Sequence, residues 1–122
     1  MAHLVSGKIQ FEVIGGDKLR MISSFVVHVL NKDWIINVGD ESDLASFPWL
    51  AYTLYDPFEG AAASVWHDLR YIRGDVTRKE ADQGWYDLAI VGHSEATRMP
   101  KWKAWIGYMA LRIGGWRYWY HD

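Results

Sequence analysis

The sequence predicts an α+β domain, a small antiparallel β-meander followed by three packed α-helices. Three observations point there. Between Lys8 and Val38, apolar residues alternate with polar ones or gather in β-branched runs separated by turn residues. From Glu59 onward the spacing becomes helical, with a capping box and with glycines where helices should stop. Half of the 122 residues are hydrophobic, enough for one core, so the chain is read as a single domain over 1–122. Within it, 1–40 is the meander, 41–58 a loop, 59–115 the three helices and 116–122 an aromatic tail.

The first strand is Lys8 to Ile14, with Ile9, Phe11 and Val13 on one face and Lys8, Gln10 and Glu12 on the other. Gly15-Gly16-Asp17 turns the chain into Leu19 to Leu30, an apolar second strand; Asn31-Lys32-Asp33 turns it again into a third, Trp34 to Val38. His28, between Val27 and Val29, reads as a structural strand residue. Gly39 to Pro48 ends the sheet as a solvated acidic loop, in which Asp43 or Ser46 is placed to cap a short turn. Pro57 blocks an early helix start, so the first helix is Glu59 to Ile72, stopped by Gly74. Thr77 and Glu80 form a capping box that opens a second helix, ending near Gly92. The link between these two helices is short, which favours antiparallel neighbours. Pro100 introduces the third, Lys101 to Ile113, with Trp102, Trp105, Ile106, Met109 and Ile113 spaced as a core-facing stripe.

Composition excludes several classes. There is no cysteine, so disulfides and thiolate metal sites are out. The net charge is −2 with the basic residues dispersed, which is not the footprint of a nucleic-acid binder. No apolar run is long enough to span a membrane, and the first eight residues lack the basic and apolar regions of a signal peptide. Tryptophan is the outlier: four of the eight follow residue 101. This is more aromatic surface than one helix can bury against a small sheet, so Trp102, Trp105, Trp116 and Trp119 are candidates for an interface, through self-association or with a neighbouring protein; the alternative is a tail folded over the open face of the sheet.

The chemistry gathers at Val65-Trp66-His67-Asp68-Leu69-Arg70-Tyr71 and at Ala81-Asp82. His67 and Tyr71 share a helical face, with Asp68 at its edge. An antiparallel second helix would bring Asp82 back to His67. His67 is the best-placed general base, because imidazole titrates near neutrality. Asp82 is the candidate to fix its tautomer. Asp68, with Asp43 from the acidic loop, could bind a hard divalent cation, which would supply oxyanion stabilisation. No G-x-S-x-G, P-loop or H-E-x-x-H motif occurs.

Two resemblances bear on these residues. Asp43-Leu44-Ala45-Ser46-x-Pro48, His67-Asp68-x-x-Tyr71, Arg78-x-x-Ala81-Asp82 and Tyr108-x-x-Leu111-Arg112-x-Gly114 together resemble a phage and prophage family of small proteins of unknown function, over roughly residues 8–115. That resemblance implies a viral origin, with the phage virion or the host cytoplasm as location. His67-Asp68-x-x-Tyr71 followed by Ala81-Asp82 is similar to the secreted calcium-dependent phospholipases that cleave the sn-2 ester. That similarity implies His67 as the base that activates water, Asp68 as a ligand of calcium or another divalent cation, and Tyr71 and Asp82 as the groups that hold His67. The phospholipases also carry a Gly-rich calcium loop and disulfides, whereas Tyr52 to Gly60 holds only Gly60 and the chain has no cysteine.

Two functions follow. One is a His/Asp hydrolase, metal-dependent in the phospholipase manner, acting on an envelope ester or amide. The other is a non-catalytic tail or baseplate protein of the virion, whose His67, Asp68, Tyr71 and Asp82 form a buried network. Access separates them: a site needs an opening beside His67, while a network should be sealed by Trp66, Trp85 and Tyr86.

Overall fold

The computed structural model describes residues 2–8, 10–15, 18–43, 61–92, 98–119 and 121. The α+β class and the three helices are as expected, but the strands are more numerous and pair differently. They are β1 (His3–Gly7), β2 (Phe11–Gly15), β3 (Lys18–Met21), β4 (Phe25–Val29), β5 (Lys32–Ile36) and β6 (Glu41–Asp43). They form two antiparallel three-stranded sheets, in the orders β1-β4-β5 and β2-β3-β6.

The long second strand expected over Leu19 to Leu30 is therefore two strands in different sheets. The chain crosses between them at Ile22-Ser23-Ser24, where Ile22 N–H donates to Gln10 O and the Ser23 hydroxyl to Lys8 O. Apolar composition could not reveal this break, because both halves are apolar. β1 was not expected either: only Leu4 of its five residues is even partly buried, so it has no alternating signal. Its end needs a glycine, because Gly7 has φ +91° and a Cβ there would lie 2.5 Å from Ser24 O.

β4 alternates as a half-buried strand should: Phe25, Val27 and Val29 are buried. It turns into β5 one residue earlier than expected, through Leu30 and Asn31, both with positive φ, so that Val29 pairs with Lys32. Two such residues in a two-residue loop match the twist of the strands they join. The acidic stretch expected as a loop instead starts with β6, whose register sets Glu41 across from Arg20 and Asp43 across from Lys18. The opposite charges of Glu41 and Arg20 on facing positions suit an antiparallel pair. The rest of that loop, with Ser46 and Pro48, lies outside the described residues.

The helices are α1 (Ala61–Arg73), α2 (Arg78–Val91) and α3 (Lys101–Gly114), the last continuing as a 3₁₀ turn, Gly115–Tyr118. From Ala62 to Tyr71 every residue of α1 except Asp68 is buried, so α1 is the central element rather than an amphipathic cover. Contacts between α1 and α2 run in opposite order along the two helices: Tyr71 to Asp82, Trp66 to Gly84, Ser64 to Trp85. The pair is thus antiparallel, as the short link implied.

Each of the first two helices lays a tryptophan on a glycine of the next. A Cβ on Gly84 would lie 2.4 Å from the Trp66 ring, and one on Gly107 would lie 2.5 Å from the Trp85 ring. Mid-helix glycine costs about 1 kcal/mol relative to alanine, and here it makes room for a buried indole. Gly107→Ala is expected to destabilise the fold by about 1–3 kcal/mol through overpacking, against the propensity gain. A thermal melt at or above that of the parent would show that Trp85 can retreat.

The third helix corrects the expectation most sharply. Its buried residues are Ala104, Gly107 and Leu111. Trp102, Trp105, Ile106, Met109 and Ile113, read as the core stripe, are the exposed ones. Trp85 fills the space against Gly107, so no larger side chain fits at that point of the inward face.

Candidate functional site

His67 and Tyr71 lie one turn apart on α1, their ring centroids 4.2 Å apart. The capping box at the start of α2 is formed as expected: Thr77 Oγ1 accepts from Glu80 N–H at 3.1 Å, and Glu80 Oε1 accepts from Thr77 N–H at 2.9 Å. Those bonds hold the Glu80 carboxyl below its ordinary pKa. The box fixes where α2 begins and hence that Asp82, one turn in, meets His67.

Asp82 is fully buried, and four groups converge on it. Its Oδ1 accepts from Tyr71 Oη at 2.6 Å and lies 2.9 Å from His67 Nε2. Its Oδ2 accepts from Arg112 Nη1 at 2.9 Å and lies 3.7 Å from Arg78 Nη1. Three helices are joined at one carboxylate. A carboxylate this deep is tolerable only because its lone pairs and charge are answered.

This arrangement settles the imidazole. Asp82 Oδ1 is an acceptor, so Nε2 carries the hydrogen and Nδ1 is the basic nitrogen of the neutral ring. Nδ1 faces Asp68, with Oδ1 at 3.8 Å, an ion-pair distance beyond hydrogen-bond length. Burial by itself would lower the His67 pKa; the bond to Asp82 and the negative charges of Asp68 and Asp82 outweigh it and hold it above 6.5. Burial and the bond to Asp82 push the Tyr71 phenol up, which keeps it a donor.

His67, Asp68, Tyr71 and Asp82 thus meet as the helical spacing implied, with the ring of His67 almost wholly enclosed at 2 % exposure. Trp66 and Trp85 are buried against Gly84 and Gly107, while Tyr86 is half-buried and packs with Trp105 and Tyr108. Asp43 ends β6 with its backbone paired to Lys18; its side chain lies outside the described residues. The fit to calcium is incomplete. That ion takes about six to eight oxygen ligands, and among the described residues no three His, Asp or Glu side chains converge to hold a metal.

Sequence reasoning gave no role to two arginines. Besides facing Asp82, Arg78 donates to Leu111 O at 3.0 Å and Arg112 O at 3.2 Å, closing the carboxyl end of α3. The charge requirement of a buried Asp82 was the signal that could have found Arg78, one turn before it, though not Arg112 on another helix. Arg70 was also unassigned. It is buried with its guanidinium 4.3 Å above the Trp34 ring and 3.4 Å from Asp75, and joins α1 to β5.

The aromatic tail returns to α1 rather than covering a sheet. Gly115 packs against Tyr71, where a Cβ would lie 2.5 Å from the phenol oxygen. Trp119 meets the Tyr71 ring edge-on at 5.1 Å, and His121 Nε2 lies 2.6 Å from Tyr71 O. His121 also sits over Gly74, whose φ of +63° ends α1. Of the four tryptophans considered for an interface, Trp119 turns inward, and Trp102, Trp105 and Trp116 stay exposed. Tyr120 and Asp122 lie outside the described residues.

A family model described as "Protein of unknown function (DUF1353)" matches residues 19–111, a span that includes His67, Asp68, Tyr71, Arg78 and Asp82. No curated protein and no solved structure matches the chain.

Proposed function

The chain belongs to the DUF1353 family of proteins of unknown function, and from the geometry of its buried cluster we propose that it is a His/Asp hydrolase acting on an ester or amide. One observation carries the reading. His67 is held through Nε2 by Asp82, which is in turn held by Tyr71 and Arg112, so that Nδ1 is left as the basic atom. A base oriented by a second group, itself oriented by a third, is the arrangement that activates a water or hydroxyl nucleophile. In this reading Nδ1 takes the proton of the attacking water and returns it to the leaving group, while Asp82 and Tyr71 keep the ring in place. Asp68, 3.8 Å from Nδ1, is the carboxylate beside the reacting water. The similarity of the His67, Asp68, Tyr71 and Asp82 pattern to the calcium-dependent phospholipases supports an ester of an envelope lipid as substrate, in a phage or prophage setting.

A second reading rests on burial. Asp82 is at 0 % and His67 at 2 % exposure, so by access the cluster fits a fastener between helices in a virion protein better than an open site. Hydrolysis of phospholipid micelles and of simple esters and amides, with and without calcium, separates the two. The enzyme reading expects turnover by the parent. The fastener reading expects none with any substrate or cation, together with a large loss of stability when His67 is replaced.

A further inference from the structure

We propose that the outward face of α3 is a docking surface for an anionic lipid bilayer, which it meets lying flat. The proposal stands apart from the hydrolase reading, because it concerns binding alone.

The face is continuous. At about 100° per residue, Trp102, Trp105, Ile106, Met109 and Ile113 fall within an arc of about 100°, and Ala104, Gly107 and Leu111 fall on the opposite side. The first set is exposed, the second buried. Trp116 extends the stripe into the 3₁₀ turn and is 62 % exposed. The stripe is about 20 Å long at 1.5 Å per residue. The helix thus gives one leucine and two small residues to the core and its largest side chains to solvent.

Charge selects the occupant. Residues 96–121 contain five of the thirteen Lys and Arg and none of the fifteen Asp and Glu, so the rest of the chain is acidic. On the helical projection Lys101 borders one side of the stripe and Lys103 the other, while Arg112 turns in to Asp82. Arg117 lies over the Trp116 ring at 5.6 Å from its centroid. Basic residues bordering an exposed aromatic stripe let the apolar rings enter the acyl boundary while the cations stay among the phosphates. A second copy on the same face would set these like charges against one another. Among the described residues no helix is long and apolar enough to cross a membrane, so the contact proposed is with the surface.

The test is flotation of the full chain with vesicles of phosphatidylcholine, alone or mixed with phosphatidylglycerol. The chain should float with the mixed vesicles, and added salt should release it. Trp102→Ala with Trp116→Ala should weaken binding about tenfold or more through lost apolar burial while the melting temperature stays at the parent value, since both rings are exposed. Lys101→Glu should weaken binding to the anionic vesicles. Either of two results overturns the proposal: no flotation with anionic vesicles, or a parent dimer by light scattering that the double variant converts to monomer, which gives the face to a second copy.

Discussion

Asp82→Ala is expected to lower the stability of the fold by about 3–5 kcal/mol, because it strands partners that are themselves buried. Tyr71 loses the acceptor 2.6 Å from its hydroxyl, and His67 the one 2.9 Å from Nε2. Arg112 and Arg78 lose the charge they share. A domain has about 5–15 kcal/mol in total, so the variant should sit near its unfolding limit at body temperature. Urea titration of parent and variant measures the difference. Removing a stranded cation as well, in Asp82→Ala with Arg112→Met, should recover part of the loss through coupling between contacting residues. A loss under about 1 kcal/mol in the single variant would show that the carboxylate does not hold the three helices together.

His67→Gln is expected to cut turnover about 10²–10⁴-fold, the usual contribution of a positioned general base. The glutamine amide can still donate to Asp82, so the melting transition should move little by comparison. The pH dependence carries a sign that separates the roles of the ring. The raised pKa means that the folded state binds the proton more tightly than the unfolded chain. The stability this adds is fully present below pH 6.5 and is lost as pH rises through the folded pKa. Catalysis runs the other way, because only the neutral ring accepts a proton: kcat/KM should climb over the same interval. Parent-level turnover in the glutamine variant would end the role of His67 as base, whatever the melts show.

The sequence was informative wherever the determining interaction was local. Thr77 and Glu80 are three apart and form their box within one turn. Gly74 ends α1 because positive φ is cheap for glycine. His67 and Tyr71 share a face because a helix repeats every 3.6 residues, and the short link to Thr77 was enough to bring Asp82 back to them. These features gave the fold class, the three helices and the heart of the candidate site.

What lay beyond local spacing was decided by packing. The apolar run at 19–30 could not show that its halves serve different sheets, since strand pairing is set by partners far along the chain. Arg112 could not be assigned to Asp82 from spacing, because the two stand on different helices, 30 positions apart. The periodicity of α3 showed correctly which residues share a face, but two faces were available. One carries indoles and the other Ala104, Gly107 and Leu111. The sequence alone determined the two faces; the Trp85 ring, which leaves room for no side chain larger than that of glycine at position 107, decided that the aromatic face looks outward.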